Sequence, residues 1–363
     1  MLVLGTISYI SYVYFHIERP LVKKNVEVKH TPKVASDSVT EFSVISNQLT
    51  VTKPPTAAET LENFNRSLLT ILLWTWPLGY EFPLNRCPRN ENSGCFYTMN
   101  RNEYPIADAV VISHRDVYKS EELLPPVPRP SDQYWIWFSM ESPTNCPNLT
   151  LMDNKINLTM SYRLDSDIYI PNGWLEKVDG KENFTIPHKS KLLAWVISNW
   201  KTKYRRTKYY EELKKYISID VYGKYGLPLL RNETFQTLAT YKFYLAFENS
   251  IHEDYITEKF WRNSLMAGTV PVAMGPSRKN YERFIPPDAF IHVDDFSSPQ
   301  ELAKYLLDLD KDEPRYRQYF NWRFKYRPTL SKTGFLPAYC KICRALKEVP
   351  PYKTIPSIAE WFK

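Results

Sequence analysis

From residue 190 onward, short apolar runs alternate with amphipathic segments, and few folds accept that rhythm. KLLAWVISN reads as a strand, RRTKYYEELKKY as an amphipathic helix, and ISIDVYG and YKFYLAFEN as strands. ITEKFWRNSLMAG reads as a helix with Gly268 as its C-terminal cap. TVPVAMG and FIHVDDF are further strands. Ser298-Pro299-Gln300-Glu301 is a capping box with proline at the first helical position, and the helix LAKYLLDLD follows it. Strands separated by helices need crossover connections, so the expectation is α/β, with a parallel, doubly wound sheet. Neither GxGxxG nor GxxxxGK[ST] is present. A nucleotide bound here is therefore held without either glycine-rich fingerprint.

The first half is richer in strand-like runs. SLLTILLWTW is ended by Pro77 and Gly79, and AVVISH (109–114) follows. YWIWFSM (134–140) is apolar or aromatic nearly throughout and reads as a strand buried on both faces. NLTMSYR (157–163) and DIYIP (167–171) are further candidates. A chain of 363 residues fits two domains at roughly 100–200 residues each. The boundary is expected near residue 187, giving 67–187 and 188–363.

Residues 1–16 carry the apolar run LVLGTISYISYVYF, shorter than the ~20 residues of a free-standing span. It reads as part of a signal-anchor, with Met1 not the natural start and a basic tail missing. Residues 17–66 lack sustained periodicity and read as a stem. Five Asn-x-Ser/Thr sequons, at Asn65, Asn148, Asn157, Asn183 and Asn232, point to a lumenal or secreted body. Five cysteines agree: Cys87 and Cys95 early, Cys340 and Cys343 at the end, and Cys146 between. Two disulfides are favoured over a four-cysteine zinc site, with three pairings open and Cys146 free and packed. The net charge of +7, from 47 Lys and Arg against 40 Asp and Glu, is mild and the signs are mixed. That excludes nucleic acid as the expected partner.

Three segments carry candidate chemistry. Glu141 follows YWIWFSM directly, at a strand's carboxyl end, where open α/β sheets place their ligands. A desolvated carboxylate there suits general-base work. Lys201, Lys203, Arg205, Arg206 and Lys208 cluster where a helix begins, a place that disfavours cations unless an anion such as a diphosphate joins them. FENSIHEDYITEK (247–259) gathers Glu248, Asn249, Tyr255, Glu258 and Lys259 around a strand-to-helix turn. Such a set binds sugar hydroxyls and neutralises phosphate. Asp165-Ser166-Asp167 has the form of a metal–nucleotide triplet but abuts a strand and reads as structural, and no zinc spacing occurs. The isolated histidines read as packing residues.

WIWFSMESPTNC, NLTMSYRLDSDI, WVISNW, DVYG, YKFYLAFENSIHEDYITEKFWRN, VPVAMGPSRKNYERFIPPDAFIHVDDFSSP and CKIC together resemble the α-1,3-fucosyltransferases of glycosyltransferase family 10, the vertebrate Lewis-type enzymes in particular. The resemblance covers roughly residues 68–362. It implies a GT-B fold, with two Rossmann-like domains around a cleft, the acceptor domain first and the donor domain second. It implies inverting transfer of L-fucose from GDP-β-L-fucose to O3 of GlcNAc in Galβ1-4GlcNAc, making Lewis x-type structures. The family's enzymes are Golgi-resident, single-pass type II membrane proteins acting on glycoproteins or glycolipids. No cofactor is required, and a divalent cation is at most a stimulant.

Carried over motif by motif, the resemblance makes Glu141 the general base. Val196, Ile197, Ser198, Asn199, Arg206, Tyr244, Asn249, Tyr255, Glu258 and Lys259 fall at donor-binding positions. Tyr80, Arg115 and Glu141 fall at acceptor positions. Ser113-His114-Arg115-Asp116 matches the family's HH-[WR]-D segment, whose arginine form is tied to type 2 chains and α-1,3 linkage. The family's cross-links match Cys87 to Cys340 and Cys95 to Cys343. Two departures stand out: Asn172-Gly173-Trp174 replaces YGW, and Ala194 and Tyr241 replace a cysteine pair. The alternatives are an α-1,3/1,4 enzyme that also takes type 1 chains, and a non-catalytic lumenal lectin on the same fold.

Overall fold

The computed structural model describes residues 68–179, 184–331, 334–348 and 352–363. The anchor (1–16), the stem (17–66) and the sequons at Asn65 and Asn183 lie outside the described residues. Six parallel strands form the first sheet: β1 (Leu69–Leu73), β2 (Cys95–Thr98), β3 (Ala109–Ser113), β4 (Tyr134–Ser139), β5 (Leu158–Ser161) and β6 (Ile168–Tyr169). Their order across the sheet is β2-β1-β3-β4-β5-β6. After β7 (Trp174–Lys177) comes a second parallel sheet of β8 (Lys191–Val196), β9 (Asp220–Tyr222), β10 (Tyr241–Phe247), β11 (Val270–Met274) and β12 (Ile291–His292), in the order β12-β11-β10-β8-β9. β13 (Tyr326–Thr329) returns to pair antiparallel with β7.

The apolar runs become strands because helices and turns cover both faces of each sheet. β3 and β4 are buried almost end to end. In β8, Leu193 and Trp195 enter the core on one face, and Ala194 and Val196 the core on the other. Trp135, Trp137, Trp195 and Trp261 are fully buried, so much of the aromatic excess is core.

The chain's end does not stay with the second sheet. Phe335, Ala338, Tyr339, Ile342, Ile358 and Phe362 complete the core of the first. Disulfides Cys87–Cys340 and Cys95–Cys343 fix the helix Leu336–Lys347 there, and Cys146 is free and buried.

Four expectations need correction. The helix over ITEKFWRNSLMAG is one short turn, Glu258–Phe260, that widens into a π-helix at Trp261–Met266. Trp261 packs directly on Gly173, where any Cβ would lie 2.4 Å from its ring. FIHVDDF is a strand only at Ile291–His292, because His292 and Asp295 cap a tight turn that starts at Val293. The capping box is half made: Ser298 accepts from the Glu301 amide, but the Glu301 carboxylate accepts from Ser297 instead of Ser298. Asn157 is buried and cannot carry a glycan in this packing. Its Oδ1 accepts from the Trp135 amide at 2.8 Å and from Arg129 at 3.0 Å, and its Nδ2 donates to the Lys353 carbonyl. Asn148 and Asn232 are exposed.

The two disulfides span 253 and 248 residues but begin and end close together. With one in place, the other closes a loop of only about a dozen residues, worth about 3 kcal/mol on the chain-entropy account. Replacing either pair by serine should cost about that much, and replacing both about 8 kcal/mol, because the long loop is then released. Denaturant unfolding of the single and double variants measures this departure from additivity.

Candidate active site

Parallel strands bring their carboxyl ends to one edge, and Glu141 stands at that edge. β3 and β4 pair with Ser113 opposite Phe138, so the residues just beyond each strand are neighbours. Arg115 and Glu141 therefore meet: Arg115 Nη1 lies 2.7 Å from Glu141 Oε1. Glu141 is 7% exposed, its amide donates to Ser139 Oγ, and its Oε2 is buried without a protein partner. Burial pushes the His114 imidazole down to about 4, and its Nε2 meets the Pro147 carbonyl at 2.9 Å. It stays neutral at physiological pH. Asp116 accepts from the Leu78 amide, which holds the turn before Tyr80 beside the same strand end.

Across the cleft, the carboxyl end of β10 carries a buried charge cluster. Glu248 accepts from the Thr257 amide (2.8 Å) and hydroxyl, and from Lys259 Nζ at 3.1 Å. Lys259 also reaches Glu258 Oε1 at 3.2 Å, while Glu258 Oε2 is buried without a partner. Burial alone would strip the charge from Lys259, but Glu248 and Glu258 outweigh it and hold its ammonium above the ordinary pKa. Burial raises the Glu248 carboxyl, against the pull of Lys259.

Arg206 belongs to the same cluster. The helix Arg205–Leu213 starts without a side-chain cap, and Arg206 points inward from its first turn. Its Nη2 donates to the Asn199 carbonyl at 2.7 Å, and its Nε is buried without a partner. Burial lowers its pKa, opposed chiefly by Glu248. A guanidinium at the positive end of a helix is electrostatically misplaced unless an anion shares the site. Lys201, Lys203 and Lys208 are exposed, and Arg205 pairs with Asp294. The basic run thus divides into a solvated rim and one inward cation.

Two strand-end loops join the halves of the cleft. Ser250 Oγ donates to Ser142 Oγ at 2.6 Å, and Thr144 and His252 meet at 2.7 Å. Asp254, at φ +60°, accepts from the Leu164 amide and from Asn280. Tyr255 is fully buried and packs on Tyr162, with centroids 5.1 Å apart. Burial raises its pKa well above the usual value, and Glu141, Glu248 and Glu258 raise it further. An open pocket of about 470 Å³ adjoins the loop, lined by Ile251, His252, Ser277, Lys279, Asn280 and Arg283.

The remaining sequence candidates divide. Tyr244 is buried in β10 and accepts from Asn263 Nδ2 at 3.2 Å. Ser198 and Asn249 are half-buried at their strand ends, and Asn199 is exposed. Val196 and Ile197 have side chains in the two cores, and the Ile197 amide donates to Tyr222. Asp165 pairs with Arg163 and Asp167 binds Thr159, so the D-x-D triplet serves the fold. Among the described residues, no group of three or more His, Cys, Asp or Glu side chains is arranged to hold a metal. Sequence reasoning placed Glu248 in the dense segment but assigned it no role. The signal was the glutamate after an apolar strand, eleven residues before a lysine. Removing one partner of a buried ion pair costs about 3–5 kcal/mol, so Glu248→Ala should destabilise the fold by that much and Glu248→Gln by less. Urea unfolding of both variants checks the order.

Comparison with known proteins shows the family. The family described as "Fucosyltransferase, N-terminal" matches residues 66–173, and "Glycosyltransferase family 10 (fucosyltransferase) C-term" matches residues 186–361. A 3-galactosyl-N-acetylglucosaminide 4-alpha-L-fucosyltransferase of Bos taurus is 52% identical over 301 residues, 81% of this chain and 82% of that one. A 4-galactosyl-N-acetylglucosaminide 3-alpha-L-fucosyltransferase of Homo sapiens is 51% identical over 300 residues, 81% of this chain and 80% of that one. A crystal structure of an alpha1,3-fucosyltransferase with GDP-fucose shares the fold at a TM-score of 0.54 and 17% identity, covering 85% of this chain and 95% of that one. With both family regions matched in order and half of its residues shared with these relatives over four-fifths of its length, the chain belongs to the fucosyltransferases of glycosyltransferase family 10.

Proposed function

We propose that the chain transfers L-fucose from GDP-β-L-fucose to O3 of GlcNAc in Galβ1-4GlcNAc glycans, with inversion, and that Glu141 is the base. One observation carries the reading. A buried carboxylate at the carboxyl end of the first sheet is held at one oxygen and unpartnered at the other, and the strand ends of the second sheet carry a buried lysine and a buried arginine.

In the proposed reaction, Glu141 Oε2 takes the proton from the acceptor 3-hydroxyl. The freed oxygen attacks the fucosyl anomeric carbon as the bond to GDP breaks on the opposite face. A single displacement of this kind turns the β-linked donor into an α-linked product, by the logic of inverting glycosidases. Arg206 and Lys259 meet the diphosphate and stabilise the charge that grows on it as it leaves. Glu258 Oε2, buried without a protein partner, would accept from a sugar hydroxyl and steady the positive fucosyl centre. Ser198, Asn199, Asn249, Tyr244 and Tyr255 complete the donor side, and Tyr80 and Arg115 the acceptor side. Val196 and Ile197 contribute backbone shape at the end of β8, because their side chains are core. The scheme routes no step through a metal.

Likeness to relatives does not choose between α-1,3 and α-1,4 transfer, since relatives named for each are about equally similar. Arg115 favours the type 2, α-1,3 reading. A non-catalytic lectin is disfavoured, because sugar recognition gives no reason to bury a lysine, an arginine and two glutamates together. The setting proposed for this chemistry is the Golgi lumen, with the body tethered through the residues that precede it. Glycoproteins or glycolipids bearing N-acetyllactosamine would be the acceptors.

A positioned general base contributes about 10²–10⁴-fold to rate, so Glu141→Gln should lose transfer by that factor while binding GDP within about twofold of the parent. Calorimetry with GDP, and transfer to N-acetyllactosamine followed by linkage analysis, provide the two readouts. Transfer near the parental rate would remove Glu141 from the base position.

A further inference from the structure

Arg115 has so far been an acceptor residue, but in this fold it touches the proposed base itself. We propose that Arg115 is a positioning residue for Glu141: it holds Oε1 and leaves Oε2 as the oxygen that takes the proton. The proposal rests on the base reading above. Acceptor choice and base geometry then depend on a single side chain, and neither can be altered alone.

The geometry is specific. Arg115 Nη1 reaches only Oε1, at 2.7 Å, and Oε2 is left buried and unpaired. Glu141 has its backbone fixed by Ser139 Oγ, so rotation of its side chain is the freedom that remains. A buried carboxylate without a cation tends to take up a proton or swing toward water. Three other titratable groups that interact with Glu141 supply no charge to replace Arg115. Cys146, in the loop after it, has its thiol pushed by burial up to about 12. Tyr162, at the end of β5, and Tyr255, from the opposite half, are pushed by burial well above the ordinary phenol range. All three are neutral across the pH range in which a transferase is assayed, so Arg115 is the cation among these neighbours.

Positioning and acceptor binding make different demands on variants. If Arg115 acts through Glu141, Arg115→Gln should lower kcat toward type 2 acceptor by about tenfold or more, with KM for GDP-fucose nearly unchanged. Loss of a cation beside the base favours its protonated form, so the acid limb of the pH–kcat profile should move to higher pH by about one unit. Arg115→Lys should recover part of kcat and return the limb toward its parental position. Arg115→Trp, the aromatic form, should show the same loss of kcat even toward type 2 acceptor.

An unmoved acid limb, with the whole loss in acceptor KM, would overturn the proposal. GDP binding by each variant serves as the folding control, and the lysine variant keeps the test open if the glutamine variant does not fold. Transfer that survives in Glu141→Gln would sink the base reading itself, and the positioning role with it.

Discussion

Lys259 buried between Glu248 and Glu258 is the interaction on which the strand ends of the second sheet depend. A desolvated ammonium is stable only with anions beside it, and here two carboxylates supply them. Glu248 does more than balance charge. It also takes the Thr257 amide and hydroxyl, so the turn from β10 into the following helix is built around one carboxylate. The π-helix at Trp261–Met266 begins directly after that turn and packs through Trp261 on Gly173. The charge cluster thereby fixes where the second sheet meets the linker from the first. Arg206 adds a second buried cation from the first turn of the helix that follows β8, so the site gains positive potential without exposing it to solvent screening.

Long-range closure of the chain makes the first half equally fixed. Phe335, Tyr339 and Phe362 pack into the first core after the chain has built the whole second sheet. Two disulfides hold that return. A chain that leaves one domain, forms another and comes back crosses the cleft twice, which limits how far the halves can separate. Ser142–Ser250, Thr144–His252 and Leu164–Asp254 add short polar contacts at the point of crossing. Glu141 and Lys259 are thus held in register by covalent closure at a distance and hydrogen bonds nearby.

Much of the framework was legible in the sequence, and the reasons are local. A run such as YWIWFSM has few fates other than a doubly covered strand, and β4 is that strand. Glu141 was legible because parallel sheets present their carboxyl ends together. What the sequence concealed depends on contacts between distant segments. The sequon at Asn157 looks like its neighbours, yet tertiary packing turns that side chain into a bridge between β4 and residue 353. The π-helix was hidden because its residues carry an ordinary helical pattern, and what accompanies the widening is the contact with a glycine almost ninety positions earlier. The Arg115–Glu141 pair was out of reach for the same reason: register between β3 and β4 makes it, and no one-dimensional pattern records register.

The absence of a glycine-rich phosphate loop acquires a physical meaning from the charge cluster. Backbone amides in such loops offer partial charges and need a chain thin enough to approach the phosphates. Here the chain carries bulky residues at the same place in the fold: Ser198-Asn199-Trp200 after β8 and Glu248-Asn249-Ser250 after β10. Side chains on those elements can reach where the backbone cannot. Full cations then replace partial ones, at the cost of desolvating them, and Glu248 and Glu258 offset that cost. The same two carboxylates would weaken a bound diphosphate if they faced it directly. Glu248 does not, since its oxygens are turned onto Thr257 and Lys259. Glu258 keeps one oxygen in reserve, and a carboxylate beside a leaving diphosphate is useful where positive charge develops on the sugar. In the proposed reaction the cations would meet the departing nucleotide and the free Glu258 oxygen the sugar, which is the polarity a displacement at an anomeric carbon requires.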